Sequence, residues 1–240
     1  MGISFDWAGV FSGQPLQWLV NGLAVTLAVT AAGSVWASAV AVFVSLGRRS
    51  ASRIVSGLTA AFVAVFRNTP LLVQLLAWYF VGFGLLPSAL RSWLLDDHPW
   101  AVLPGQVSLF APEFLAGAFG LGIFSGVFLS EEIRAGLNAV PFGQTEAALS
   151  QGFSRRDVFV RILLPQALRN ARQPLVGQYL NLMKLSSIAC SIGLAELTYQ
   201  TRVIESYNAH AFEAFAVGTV LYLVIGFVLE RLLLPSRKAA

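Results

Sequence analysis

The residues of this chain that could do chemistry fall into two groups. The first is Glu146–Pro165, EAALSQGFSRRDVFVRILLP, where a carboxylate and the guanidiniums of Arg155, Arg156 and Arg161 sit between apolar runs. Arg134, Arg169 and Arg172 lie close by. Such charge suits either a solvated loop or docking onto another macromolecule; it supplies no nucleophile. The second group is scattered through apolar sequence: Arg67-Asn68-Thr69, Lys184 with Ser186 and Ser187, and Glu196. An ionisable side chain inside a membrane span marks a path by default, or pairs internally. Lys184 can therefore line a path, pair Glu196, or cap carbonyls of a broken helix. Ser186 and Ser187 can donate to an anion or bond back to their own helix. Arg67 can equally anchor at an interface, its stem snorkelling.

None of these is a catalytic set. A nucleophile–base pair at depth is missing, and neither H-E-x-x-H nor G-x-S-x-G occurs. Without G-x-x-x-x-G-K-[ST] the chain cannot cradle nucleotide phosphates by that route. Asp96-Asp97-His98 invites a metal. Consecutive residues rarely form a closed site, however, and no further ligand is near, so an exposed loop on a membrane surface is expected and no metal.

The local pattern of the first group predicts a helix–turn–helix knob. Gly152 can close one short helix as its C-cap, and Ser154 with Asp157 forms an S-x-x-D capping box for the next. Val158, Phe159, Ile162 and Leu163 then share one face, with Arg155, Arg156 and Arg161 largely off it. Pro165 is expected to interrupt the second helix. Ala147 and Ala148 leave part of the knob surface low.

Composition sets the frame that must position these residues. Hydrophobic residues are 56% of the chain and charged residues 12%, against about 25% charged in a soluble domain. Mean hydropathy is +0.70. The expectation is an all-α polytopic membrane protein with about five spans in one domain, 1–240. The net charge of +4 reports loop topology, not nucleic acid. Cys190, the single cysteine, can form no intrachain disulfide. Met1 to Gly47 holds no Lys or Arg, so the first span is expected to be retained.

The expected spans are 17–46, 57–87, 113–133, 173–195 and 213–234, with the loop that carries the knob over 135–170. The second is broken at Arg67-Asn68-Thr69-Pro70. One straight helix over it would be about 50 Å, longer than a bilayer core of about 30 Å, so part should project or lie along the surface before Pro70. Thr26, Thr30, Ser34 and Ser38 are expected to pack against neighbouring helices. Gly117, Gly120, Gly122 and Gly126 place small residues on closely spaced turns for the same purpose. Glu196 to Glu213 reads as an outer loop. Arg48, Arg49, Arg53, Arg134, Arg155, Arg156, Arg161, Arg169, Arg172, Arg231, Arg237 and Lys238 all fall on one side. Only Arg91 and Arg202 fall on the other. The positive-inside rule then puts the N-terminus outside, and the knob and C-terminus in the cytoplasm.

The knob also resembles a known family. E-A-A-x3-G-x9-I-x-L-P is the signature loop of ATP-binding-cassette importer permeases, and Glu146, Ala147, Ala148, Gly152, Ile162, Leu164 and Pro165 match it. Arg67-Asn68-Thr69-Pro70-Leu71-Leu72-Val73-Gln74, Leu164-Pro165-Gln166-Ala167 and Lys184-Leu185-Ser186-Ser187 are similar to its polar amino acid uptake branch. Ser4-Phe5-Asp6-Trp7, the long outer loop and Asn208-Ala209-His210-Ala211-Phe212-Glu213 look most like glutamate/aspartate permeases. The chain departs from commoner forms at Asn68 and at Leu185-Ser186, which bears on substrate.

The resemblance implies a MetI-like type I importer fold in a bacterial inner membrane. It implies a transport subunit and not an enzyme: ATP and Mg belong to a cytoplasmic ATPase dimer. A second permease, homologous or another copy, and an extracytoplasmic amino-acid-binding protein complete the assembly. The knob becomes a coupling helix, with Glu146 in a charged contact or orienting the knob, Ala147 and Ala148 permitting close approach, Gly152 turning and Pro165 setting the exit. Lys184, Ser186, Ser187, Glu196, Arg67, Asn68 and Thr69 become the candidate substrate path, with glutamate or aspartate as cargo. The alternatives are the same machine carrying glutamine, histidine or arginine, or an ion-coupled carrier acting alone.

Overall fold

The computed structural model describes residues 5–234. Ser4 and the tail cations Arg237 and Lys238 lie outside the described residues. The first long helix, α2 (Gly13–Arg48), follows a short α1 (Ala8–Phe11). Its 36 residues make about 54 Å of helix, longer at both ends than the expected 17–46. It is apolar around most of its circumference, as suits a helix covered by lipid on one side and protein on the other.

The next segment turns sharply. α3 (Arg53–Asn68) starts at Ser52, whose Oγ accepts from the Val55 N–H, and stops at Thr69, held extended ahead of Pro70. α4 (Leu71–Ala77) then runs on through a π turn and a 3-10 turn to Leu85, bent 107° from α3. The break expected at Arg67-Asn68-Thr69-Pro70 thus divides 57–87 into two pieces. Val63 of α3 packs with Val44 and Val127, and Arg67 reaches Glu131. Bent 107° from the stretch that follows, α3 lies across the end of the bundle. Residues 71–85 climb instead: Leu75 and Trp78 lie against Gly120, and Phe83 and Leu86 near Pro112 and Leu115.

After α5 (Ser88–Leu95) an antiparallel pair, β1 (Val102–Leu103) and β2 (Val107–Ser108), folds the connecting loop. His98 there bonds the Trp93 carbonyl and packs among Trp93, Trp100 and Phe110. Among the described residues no acidic, His or Cys group suited to a metal is found.

α6 (Pro112–Asn138) is the axis of the core. Its glycines let α2 approach: a methyl on Gly126 would stand 2.6 Å from Val40 Cβ and 2.7 Å from the Ala37 carbonyl. α7 (Phe142–Ser150) and its turn lead into α8 (Arg155–Asp157), a π turn (Val158–Leu163) and α9 (Leu164–Leu185). Pro165 does not interrupt this helix. The π turn before it shifts the backbone pairing, and Pro165 falls in the first turn of α9, where a missing N–H is tolerated.

α9 continues as a 3-10 stretch (Ser186–Ile192), breaks at Gly193 in the left-handed region (φ 86°), and resumes 51° away as α10 (Leu197–Asn208). Helix thus resumes just past the expected end of the fourth span at 195, and Glu196–Glu213 is largely helical and no loop. α10 runs beside the first half of α2, from Gly22 and Thr26 at Leu197 to Trp18 at Tyr207. α11 (Ala211–Leu233) returns. The ends of α2, α6 and α11 and the start of α8 thus share one pole, the basic end.

Candidate functional site

The knob stands at the basic end. Gly152 has φ 85° and closes α7 as expected. The capping box forms by half: Ser154 Oγ accepts from the Asp157 N–H at 3.1 Å, while the Asp157 carboxylate takes the Ser154 hydroxyl proton instead of reaching back to the backbone. Glu146 and Ala147 are exposed. Ala148 is not: it is buried, so its small side chain serves packing within the chain and leaves no low outer surface. Ile162 and Leu164 are half-buried and Pro165 is exposed. The knob is braced from two directions, by Gln166 bonding Gln144 and by the Arg49 guanidinium 4.5 Å over the Phe159 ring.

Three apolar side chains that the reading of the sequence missed complete this surface. Phe142 (72% exposed) and Leu149 stand at i−4 and i+3 from Glu146 on one face of α7, and Phe153 follows in the turn. A helical spacing count begun at Phe142 would have found them. The Glu146 side chain has no partner among the described residues. An unpartnered carboxylate flanked by exposed apolar side chains is an arrangement for docking.

The second group divides. Lys184 lies past Leu182, which packs at the level of Gly33 and Leu121. Arg67 is beside Glu131, with 4.0 Å between charged atoms, and over the Phe128 ring. Those levels are ten residues of α6 apart, about 15 Å, so the two sets do not form one cluster. Asn68 and Thr69 are occupied in bonding back to the Ala64 and Val65 carbonyls. Ser186 and Ser187 do likewise, to Met183 and Lys184.

Glu196 is not available to Lys184, and the two form no ion pair among the described residues. Its carboxylate caps α10, accepting the Thr198 and Tyr199 N–H groups at 3.0 and 2.9 Å and the Tyr222 hydroxyl at 2.5 Å, in full burial. Around Lys184 the structure assembles a face instead. Gln173, Gly177, Asn181 and Lys184 recur on one side of α9, all exposed, while Ala171, Leu182 and Met183 are buried. Polar side chains uncovered midway along a membrane helix need protein or water against them.

A protein-family model described as the inner membrane component of binding-protein-dependent transport systems matches residues 33–234. The chain belongs to that family. As a family member this permease is a multi-pass inner-membrane transport component, not an enzyme, and works with an ATPase and a substrate-binding protein. It is 33% identical to the glutamate/aspartate import permease protein GltJ of Escherichia coli strain K12, over 99% of this chain and 96% of that one. It is 29% identical to the glutamine transport system permease protein GlnP of the same strain, over 96% and 95%. Among solved structures, an amino acid ABC transporter crystallised with histidines aligns at TM-score 0.75 and 27% identity, over 96% of this permease and 97% of that chain. The MetNI methionine transporter in an inward-facing form aligns at TM-score 0.62 and 18% identity and shares the fold.

Proposed function

We propose that the chain is the permease of an ATP-driven importer for acidic amino acids, glutamate or aspartate, and that α7 is its coupling helix. The observation that carries the coupling role is the uncovered Phe142–Glu146–Leu149 face at the basic end. An ATPase dimer with bound ATP and Mg would engage that face, with Glu146 making its central charged contact and Gly152 and Pro165 shaping the turn. Charge asymmetry supports an outside N-terminus and a cytoplasmic C-terminus. The exposed Gln173–Lys184 face supports a second permease, a homologue or another copy, with solute passing between the two. Lys184 would meet a substrate carboxylate there. A dedicated binding protein would deliver the solute from outside.

Similarity over nearly the whole of both chains to a permease named for glutamate and aspartate favours an acidic cargo. Similarity to glutamine permeases supports a second reading, the same machine with an amide substrate. Uptake of labelled glutamate by the reconstituted complex separates them. Competition by aspartate alone supports the first; stronger competition by glutamine, histidine or arginine replaces it. Transport by the purified chain alone in liposomes would show an independent carrier and end the coupling proposal.

A further inference from the structure

The basic end holds a cavity that the transport reading does not use. It lies between the last turns of α2 and α6, has a volume of about 250 Å³, and is lined by Ser45, Arg48, Arg49, Ser130, Glu131 and Arg134 among others. It is large enough for a ligand group and not merely one water.

Its donors are largely unspent. Among the described residues, the Arg48 guanidinium makes no hydrogen bond or ion pair, and that of Arg49 only lies over Phe159. Ser45 Oγ is buried without a partner. Arg134 alone is engaged, 2.6 Å from Glu131. Glu131 brings one negative charge, and the two helix C-termini add about one more between them. Against three lining guanidiniums, with Arg67 a further 4.0 Å neighbour of the same Glu131, at least about one positive charge stays uncompensated. Clustered, forked N–H donors with net positive charge fit the geometry of a phosphate group.

The level of the cavity says where that group comes from. α3 lies across the bundle there, with Val63 against Val44 and Val127, and exposes Ile54, Leu58 and Val65 on its uncovered side. A helix with a basic start and an uncovered apolar face lying across the end of a membrane bundle marks the headgroup boundary. Basic pockets between membrane helices at that depth on the cytoplasmic side take anionic headgroups. We propose that this cavity binds the phosphate of an anionic phospholipid, bracing α2 against α6 beside the knob. The proposal rests on the transport reading for the bilayer around the chain and for the cytoplasmic side of its basic end.

Titration of the purified full-length chain in uncharged detergent tests this without any transport assay. Dihexanoyl phosphatidylglycerol, dihexanoyl phosphatidylcholine and inorganic phosphate are compared by the shift they cause in melting temperature. A saturable shift is expected with phosphatidylglycerol and none with phosphatidylcholine. Arg48→Gln and Arg134→Gln should each weaken the apparent affinity about fivefold. Glu131→Gln, which frees the Arg134 donors, should strengthen it, and Arg169→Gln, away from the cavity, should leave it unchanged. Saturation by inorganic phosphate with the same variant pattern would overturn the lipid source and leave a soluble-anion site. Equal affinity in the parent chain, Arg48→Gln and Glu131→Gln would overturn the site itself. Retained lipid affinity in the arginine variants, with ATPase association lost, would assign these arginines to a protein partner and also overturn it. Because uptake is not measured, the outcome stands apart from the fate of the coupling and cargo assignments.

Discussion

Tyr222 of α11 donates its hydroxyl proton across 2.5 Å to the carboxylate of Glu196, the N-cap of α10. The same carboxylate holds two backbone N–H groups, and the Tyr222 oxygen also lies 3.1 Å from Thr198 Oγ1. One fully buried acid therefore fastens the break at Gly193 to the last helix.

Tyr222→Phe should destabilise the protein by about 1–3 kcal/mol, the cost of taking a donor from a buried acceptor. Glu196→Ala should cost more, because it also orphans the α10 cap. Thermal unfolding of the purified chain in detergent reads both. The double variant should cost clearly less than the sum of the two, since both changes remove one shared bond. Additive losses would mean that the two residues act independently.

Glu146→Lys should leave membrane insertion intact, as the side chain has no partner within the chain, while lowering ATPase association and uptake by about tenfold or more. Phe142→Ala and Leu149→Ala should each weaken association about fivefold, the scale of a moderate interface anchor. Co-purification of the ATPase with the variants reads the effect. Unaltered association with all three would take the docking role from α7.

Lys184→Met breaks no ion pair seen among the described residues, so stability should change by no more than about 0.5 kcal/mol. Uptake should fall about tenfold if the lysine meets a substrate carboxylate, as for loss of one charge-assisted hydrogen bond. A melting temperature well below the parent's, with uptake per folded molecule unchanged, would make Lys184 structural.

Gly126→Ala should cost about 1–3 kcal/mol, because the new methyl meets the Val40 side chain and the Ala37 carbonyl and α2 must move. The same change at Gly177, where nothing lies within 4 Å, should be harmless to the isolated chain. Comparing the two melting temperatures checks the packing. An effect of Gly177→Ala seen only in the assembled complex would place a partner against that face.

Local rules were legible in the sequence wherever a residue acts through its own backbone. Gly152 adopts the left-handed turn its position asked for, Pro70 stops α3, and the Gly122 and Gly126 spacing forecast the approach of α2. Apolar length and basic loops announced a helical membrane protein, and the motif at Glu146 named the family that the comparisons show. Each of these signals depends on neighbours within a few positions, or on composition.

What remained for the tertiary structure was everything set by the far side of a contact. Pro165 reads as a breaker, yet the π turn before it absorbs the missing N–H and the helix runs on. Ala148 reads as surface until the packing of the knob buries it. Glu196 looked like a partner for Lys184, or part of an outer loop, until Tyr222, from 26 positions away, joined the α10 backbone around it. Arg67 and Lys184 are both cations in apolar sequence, and only the packing of α3 and α9 along α6 sets their levels about 15 Å apart. A buried carboxyl goes to whichever donors the fold brings within about 3 Å, and periodicity along one helix carries no record of those donors.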